Sequence, residues 1–402
     1  MKIGIIKEGK VPIDKRVAFT PRQAKEIQDS YQDVKVICEP SDIRGFKDDE
    51  YQAEGIEVSN NIQQCDWLFG IKEVPINQLI PNKTYCFFSH TMKKQPYNRK
   101  LLQEILKQNI RLIDYEVLKD KQGNRLVAFG RYAGIVGAYN ALWTYGKRYG
   151  TYTIRRAKDC FDLEDMQTEY AKVKLGKVKI VLTGSGRVGN GSKEVLLGCN
   201  IKQVSAEDFL TKDFDYPVFT QLSSKDYHQH KEGKAFDRNE FHQNPERYTS
   251  DFLKFAHAAD VFIGGAYWDP KAPVLFTKAD IRNPKFRIKV IADITCDIEG
   301  SIPTTLKPSS IDNPIYDYNP ISEQIEDALS SPENITVMAI DNLPCELPRS
   351  ASTDFGRDLI DKVMPHIIQG DTENIMQNAT IAQNGKLTAQ FAYLQDYVSE
   401  SK

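Results

Sequence analysis

The stretch Val178-Lys-Ile-Val-Leu-Thr-Gly-Ser-Gly-Arg-Val-Gly-Asn-Gly-Ser-Lys-Glu-Val-Leu-Leu-Gly198 joins two kinds of periodicity. From Val178 to Thr183 it is apolar and rich in β-branched residues, the pattern of a strand buried in a parallel sheet. Beyond the glycines, Val188, Val195 and Leu196 continue at helical spacing. The reading is strand, glycine loop, helix. Gly184, Gly186 and Gly189 fall between the two elements as G-x-G-x-x-G. In that pattern the first glycine allows a tight turn, the second lets the backbone approach a pyrophosphate, and the third packs helix against strand. The pyrophosphate sits where free N–H groups and the positive end of the helix dipole favour an anion. Ser185, Arg187 and Val188 join the three glycines as cofactor-binding candidates. Three glycines alone also make a structural turn; their place between strand and helix is what favours a nucleotide.

An Asp or Glu about 20 residues further on, at the end of the second strand, normally holds the ribose hydroxyl of NAD. Reading Ile201 to Ser205 as that strand puts Ser205 in the acid's place, with Glu207 and Asp208 just beyond. The cofactor is thus NAD or NADP.

The chain of 402 residues is long enough for two or three domains with substantial cores. A hydrophobic fraction of 41% with 27% charged residues is ordinary for a soluble protein and weighs against the disordered and membrane classes. A net charge of −2 without a basic cluster argues against nucleic acid as a partner. Met1 to Glu8 has no apolar core of signal length, and no long apolar run occurs, so a cytoplasmic chain without a membrane partner is expected. Seven scattered cysteines without C-x-x-C spacing read as reduced and structural, and no metal is expected.

Outward from the glycine loop, strand signals lie at Lys2 to Ile6, Val34 to Cys38, Trp67 to Ile71 and Tyr85 to Phe88. Helices are predicted from Pro21, behind a Thr20 cap, and from Arg99 to Gln108. This alternation is that of a parallel α/β layer. Gly134 to Tyr149 carries small and apolar residues on more than one face and reads as a helix connecting two bodies, buried between them. Thr211 to Arg247 is polar and reads as a surface insertion, its His228, His230 and His242, with nearby His257, as surface residues. Strands return at Val261 to Gly265, Ile288 to Ile294 and Ile335 to Ile340, and the ends of the first two, at Gly264-Gly265-Ala266 and Asp293, should face the cofactor. Ser301 to Pro320 reads as loop, and Thr353 to Ile367 and Leu387 to Tyr397 as helices returning to the first domain. The expected division is residues 1–133 with 343–402 as the substrate-binding, catalytic domain and residues 134–342 as the dinucleotide domain.

Polar residues at strand ends of the first domain are the candidates for chemistry. Lys72 emerges from an apolar strand, where desolvation lowers an ammonium pKa toward a useful value; an exposed lysine paired with Glu73 fits the spacing equally. His90 changes charge near neutral pH. Arg16 and the pair Lys93-Lys94 are suited to substrate carboxylates, or to an ordinary solvated surface.

These residues carry a resemblance. Lys7-Glu8 followed by Arg16-Val-Ala-Phe-Thr-Pro21 resembles the opening of the alanine dehydrogenase and pyridine nucleotide transhydrogenase superfamily. Phe88-Ser-His-Thr-Met-Lys-Lys-Gln95, Asp114-Tyr-Glu116, Ala128-Phe-Gly-Arg-Tyr-Ala-Gly134 and Asp341-Asn-Leu-Pro-Cys-Glu-Leu-Pro-Arg349 are similar to the lysine-forming saccharopine dehydrogenases and the related lysine–2-oxoglutarate reductase domains. The resemblance implies two Rossmann-like α/β domains with parallel sheets and an active-site cleft between them. It implies small-molecule substrates, an amino acid and a 2-oxo acid, joined reversibly through an imine reduced by NAD or NADP, in a monomer or dimer. It makes Lys72 and His90 the acid–base pair. Arg16, Lys93, Glu116 and Asp341 become substrate-orienting residues, and Asp293 and Leu343 are counted with the cofactor site. Arg131 stands where an apolar, aromatic or amide residue is expected, and is counted as a substrate contact that alters specificity. Two further readings are an alanine dehydrogenase-like enzyme, which needs only one carboxylate site, and a silent nucleotide-binding regulator, against which the presence of both Lys72 and His90 speaks.

Overall fold

The structure, a computed structural model, describes residues 1–399. The chain divides into two compact units, Met1–Phe129 with Pro348–Lys402, and Gly130–Leu347.

In the first unit, strands β1 (Lys2–Ile5), β2 (Lys35–Cys38), β3 (Glu57–Val58), β4 (Trp67–Phe69), β5 (Thr84–Phe87) and β6 (Arg111–Asp114) are joined by the carboxyl-terminal pair β17 (Thr380–Gln383) and β18 (Lys386–Leu387). The sheet order is β18-β17-β6-β5-β4-β1-β2-β3, parallel from β3 to β6 and antiparallel at β17 and β18. Strand order reverses between β1 and β4, so a crevice opens at the carboxyl ends of these strands. Ile3, Ile5, Val36, Leu68, Phe69, Phe87 and Leu112 build the core that fixes those ends. The first helix, Pro21–Ser30, starts as its sequence dictates: Pro21 takes the first position, Thr20 Oγ1 accepts from Gln23 N–H, and Gln23 Oε1 accepts from Thr20 N–H in return.

The tail differs from the sequence reading. Pro348–Lys362 and Met364–Ile368 are helices, broken at Val363 ahead of Pro365. The strand β17 then pairs antiparallel with β6 through an irregular register, and a 3₁₀ segment, Ala389–Leu394, runs into the helix Gln395–Ser399. β17 is only four residues long, and its partner lies far away in sequence, so local periodicity does not announce it.

In the second unit the strands are β7 (Lys179–Thr183), β8 (Lys202–Gln203), β9 (Val218–Leu222), β12 (Val261–Gly264), β13 (Val290–Asp293), β14 (Ile315–Tyr318), β15 (Ile325–Glu326) and β16 (Ile335–Met338). They follow the order β15-β14-β16-β13-β12-β7-β9-β8, parallel from β8 to β16 and antiparallel at β14 and β15. β14 lies inside the segment read as loop, where flanking prolines hide an antiparallel strand one place in from the sheet edge. A separate antiparallel pair, β10 (His228–His230) and β11 (Tyr248–Ser250), gives the polar insertion its framework. His228 and His230 are accordingly buried among Tyr227, Phe241 and Tyr248, contrary to their surface reading.

The helix expected from Gly134 runs Gly130–Tyr149, and all of it belongs to the second unit. Its burial comes from packing there, against the Arg187–Gly198 helix and strands β12, β13 and β16. A β-carbon on Gly134 would lie 1.9 Å from Val188 O, and one on Gly191 2.1 Å from Arg131 O. The two helices therefore cross with backbones in contact, which any side chain at either position would prevent.

Candidate active site

Four strand ends of the first unit bring charged side chains together. Glu8, just after β1, accepts N–H bonds from Ile71 at 2.6 Å and Lys72 at 2.9 Å, and so holds the turn leaving β4. Burial, and then the negative charge of Asp14, push this carboxyl up to about 8 despite those two donors. Arg16 is buried against Asp14, donating from Nε at 3.0 Å and Nη2 at 2.5 Å, and its guanidinium lies 4.1 Å from the Phe129 ring centroid. Burial, and then the positive charge of Arg16, hold the Lys72 ammonium below its ordinary pKa. Among the described residues its Nζ makes no hydrogen bond or ion pair.

Glu73 is not the partner of Lys72. Its Oε1 meets His90 Nδ1 at 2.8 Å, and its Oε2 accepts from Lys10 Nζ at 2.6 Å. Burial raises this carboxyl, but the bonds to His90 and Lys10 outweigh it and hold it at about 2. His90 follows β5 with φ of +52°, a left-handed turn that carries the ring away from the strand direction. Asp114, wholly buried at the end of β6, accepts from Ser89 N–H and Oγ–H and from Glu116 N–H, tying the His90 loop to the next strand. Lys93 Nζ pairs with Glu116 Oε1 at 2.9 Å. Arg16, Lys72, His90, Lys93 and Glu116 thus share one rim. A carboxylate on Nδ1 fixes the histidine tautomer and leaves Nε2 to exchange protons, and a lysine of lowered pKa beside it can do the same.

Sequence reading missed Glu8, Lys10, Asp14 and Glu73 as members of this rim. The alternation after β4 offered a signal for Glu73: adjacent residues leaving a strand point to opposite sides, so Lys72 and Glu73 were poor candidates for each other.

In the second unit the glycine loop meets the requirements of a pyrophosphate. Gly184 has φ of +105°, and a β-carbon on Gly189 would lie 1.9 Å from Gly184 O. Gly186 faces open space within 4 Å. Gly184 to Val188, Ser185 and Arg187 included, line a cavity of about 390 Å³, to which Gly264, Gly265 and Ala266 after β12 also contribute. The open side of Gly186 is the cradle such an anion needs, so these residues fit a dinucleotide.

Three expected cofactor residues lie elsewhere. The strand beside β7 is β9, not β8, so the residue at the ribose position follows Leu222, and Ser205 instead caps the helix Ala206–Thr211 by accepting from Asp208 N–H. Asp293 is wholly buried; Thr295, Cys296 and Thr305 donate to its carboxylate, which shapes the loop after β13 rather than meeting a ligand. Leu343 is a core residue packed over Gly137. Arg131 pairs with Glu194 on the crossing helix at 2.7 Å, and Asp341 is exposed in the turn beyond β16. Among the described residues no histidine, cysteine and carboxylate group forms a metal cluster, and no helix is long and apolar enough to cross a membrane.

The family model described as alanine dehydrogenase/PNT, N-terminal domain, matches residues 4–136. The mitochondrial alpha-aminoadipic semialdehyde synthase of Bos taurus is 31% identical, over 95% of this chain and 46% of that protein. The chain thus spans about half the length of the first curated relatives it matches. The NAD(+), L-lysine-forming saccharopine dehydrogenase of Schizosaccharomyces pombe is 24% identical, over 88% of this chain and 90% of that one. Among solved structures, an L-alanine dehydrogenase shares the fold with a TM-score of 0.65 at 17% identity, covering 98% of both chains. The chain is thus similar through both units to the lysine-forming saccharopine dehydrogenases, and its amino-terminal third matches the alanine dehydrogenase/PNT family model.

Proposed function

We propose that this protein interconverts saccharopine and water with lysine and 2-oxoglutarate, passing a hydride to or from a nicotinamide cofactor. The observation that carries the reading is similarity along nearly the whole length of saccharopine dehydrogenases, together with an acid–base rim in the unit that lacks the glycine loop. When bound, the nicotinamide supplies the hydride acceptor or donor.

This chain's own residues handle protons and charge. The secondary amine must be neutral before its neighbouring carbon gives up a hydride, so a base has to take the ammonium proton; Lys72, held below its ordinary pKa, is suited to it. Hydrolysis of the resulting imine needs water deprotonated as it attacks carbon, and the nitrogen protonated as the C–N bond breaks. His90, oriented by Glu73, is assigned both transfers. Arg16, Lys93 and Arg131 are the cations assigned to substrate carboxylates. Glu116 and Asp341 are assigned to orientation and to the field around the amine.

Oxidation of NADH or NADPH, with lysine and 2-oxoglutarate supplied singly and together, tests the proposal. Turnover is expected only with both. Equal turnover when ammonia replaces lysine favours the alanine dehydrogenase-like reading, which the shared fold with L-alanine dehydrogenase keeps in view.

A further inference from the structure

Beyond β5 the rim depends on a loop whose backbone is unfavourable by itself. The turn Thr91–Lys93 is a 3₁₀ segment bracketed by His90 at φ of +52° and Lys94 at φ of +54°, two residues with side chains in the left-handed region. Such residues persist only where their surroundings hold them. Two bonds close the turn, Lys93 N–H to His90 O at 3.2 Å and Lys94 N–H to Thr91 O at 3.0 Å, but they do not fix where it lies. Asp114 anchors the near end of the loop through Ser89. The far end, beyond Lys93, needs another hold.

The segment after β18 supplies it. Phe391, Leu394 and Tyr397 bury their side chains in the core of the first unit, which fixes the 3₁₀ turn Ala389–Leu394 and the helix Gln395–Ser399. From there Tyr393 Oη–H donates to Met92 O at 3.2 Å, and Tyr397 Oη–H donates to Gln95 O at 2.5 Å. Two phenols four residues apart thus grip the loop at two of its carbonyls. Lys94 Nζ lies 5.5 Å from the Tyr393 ring centroid, and the Arg99 guanidinium 5.2 Å from that of Tyr397, so the rings also face cations at both ends of the loop. Gln103 Nε2–H donates to Val398 O at 2.7 Å and ties the same segment to the helix that follows the loop, Arg99–Lys107. Burial raises both phenols above their ordinary pKa, so each keeps the proton that it donates.

We propose that Tyr393 and Tyr397 are positioning residues for the reaction: their hydroxyls hold Met92 and Gln95, and so keep Lys93 where it meets a substrate carboxylate. The inference rests on the proposed assignment of Lys93 to substrate. The hold on the loop itself does not.

Tyr393→Phe, Tyr397→Phe and the double variant, made in the full-length protein, remove the hydroxyls and keep the rings. Two readouts are taken: hydrogen exchange of the amides from Thr91 to Asn98, and steady-state kinetics with lysine, 2-oxoglutarate and the reduced cofactor. In the double variant the loop amides are expected to exchange ~10-fold faster, as the loss of two hydrogen bonds implies, while those of β5 and β6 stay as in wild type. KM for 2-oxoglutarate or lysine should rise ~10-fold, with kcat and nucleotide affinity nearly unchanged. Each single variant should show a smaller rise in the same constant. Unchanged loop exchange in the double variant overturns the proposal, as does exchange that rises equally in β5 and β6, which reports a general loosening. Faster loop exchange with unchanged KM overturns the positioning role. A wild type that fails to join lysine with 2-oxoglutarate removes the proposed reaction and the positioning role with it, and loop exchange then decides the hold on the loop alone.

Discussion

Lys72, His90 and Glu8 show how differently one rim can use its charges. Lys72→Met and His90→Gln are expected to lower turnover by about 10²–10⁴ while leaving nucleotide affinity nearly intact, because neither residue belongs to the glycine loop. Combining them should cost less than the product of the two losses, since groups that act as a unit are not additive. Steady-state rates beside calorimetric binding check both statements. Glu8 is expected to appear in stability. The folded chain keeps its proton up to about pH 8, whereas the ordinary value is 4.5. Its contribution is therefore complete below pH 4.5 and is lost as pH rises through about 8. Glu73, held at about 2, works in the opposite sense: its contribution is present above 4.5 and lost as pH falls toward 2. Glu8→Gln should accordingly gain stability relative to wild type between pH 4.5 and 8, read from denaturant midpoints across that window. A difference that does not change with pH would mean that Glu8 is ionised in the folded chain. The sequence could name Lys72 and His90 because strand ends are visible in it. It could not name Glu8 or Asp14 as members of the same rim, because their proximity to Lys72 is made by strand order, not by spacing.

At the scale of elements, the crossing of the Gly130–Tyr149 and Arg187–Gly198 helices determines where the glycine loop sits. Gly134→Val would drive side-chain carbons into the backbone at Val188, where even a β-carbon stands at 1.9 Å. The expected loss is at least the ~1–3 kcal/mol typical of overpacking, with nucleotide affinity falling as the loop is displaced. Gly176→Ala, where a β-carbon meets nothing within 4 Å, is the control and should stay within about 0.5 kcal/mol of wild type. Thermal unfolding of the two variants checks the contrast. The parallel strands and the glycine loop were legible because buried strands and a turn with fixed glycines leave local signatures. The antiparallel strands were not: β14 lies among prolines, and β17 is a short run whose partner is remote in sequence. The ribose position went wrong for a related reason. Ile201 to Ser205 looks like a strand and comes first, yet only Lys202–Gln203 pairs, at the sheet edge, while Val218–Leu222 takes the place beside β7. Chain order and sheet order differ there, and the second is decided by packing.

At the scale of the whole molecule, two α/β units divide the work by composition: one carries the glycine loop and its cavity, the other the acid–base rim. The proposed chemistry needs a hydride carrier, a proton relay and cations for more than one carboxylate. The central claim is that the hydride goes to the carbon that was the carbonyl of 2-oxoglutarate, with lysine as the amine. The direct measurement supplies lysine, 2-oxoglutarate and a reduced nicotinamide cofactor deuterated at its transferring carbon, and reads the product by mass spectrometry. The expected result is saccharopine with one deuterium on the glutarate carbon bonded to nitrogen, and no product when either substrate is left out. Deuterated glutamate formed equally well from ammonia, or saccharopine without label, would contradict the claim.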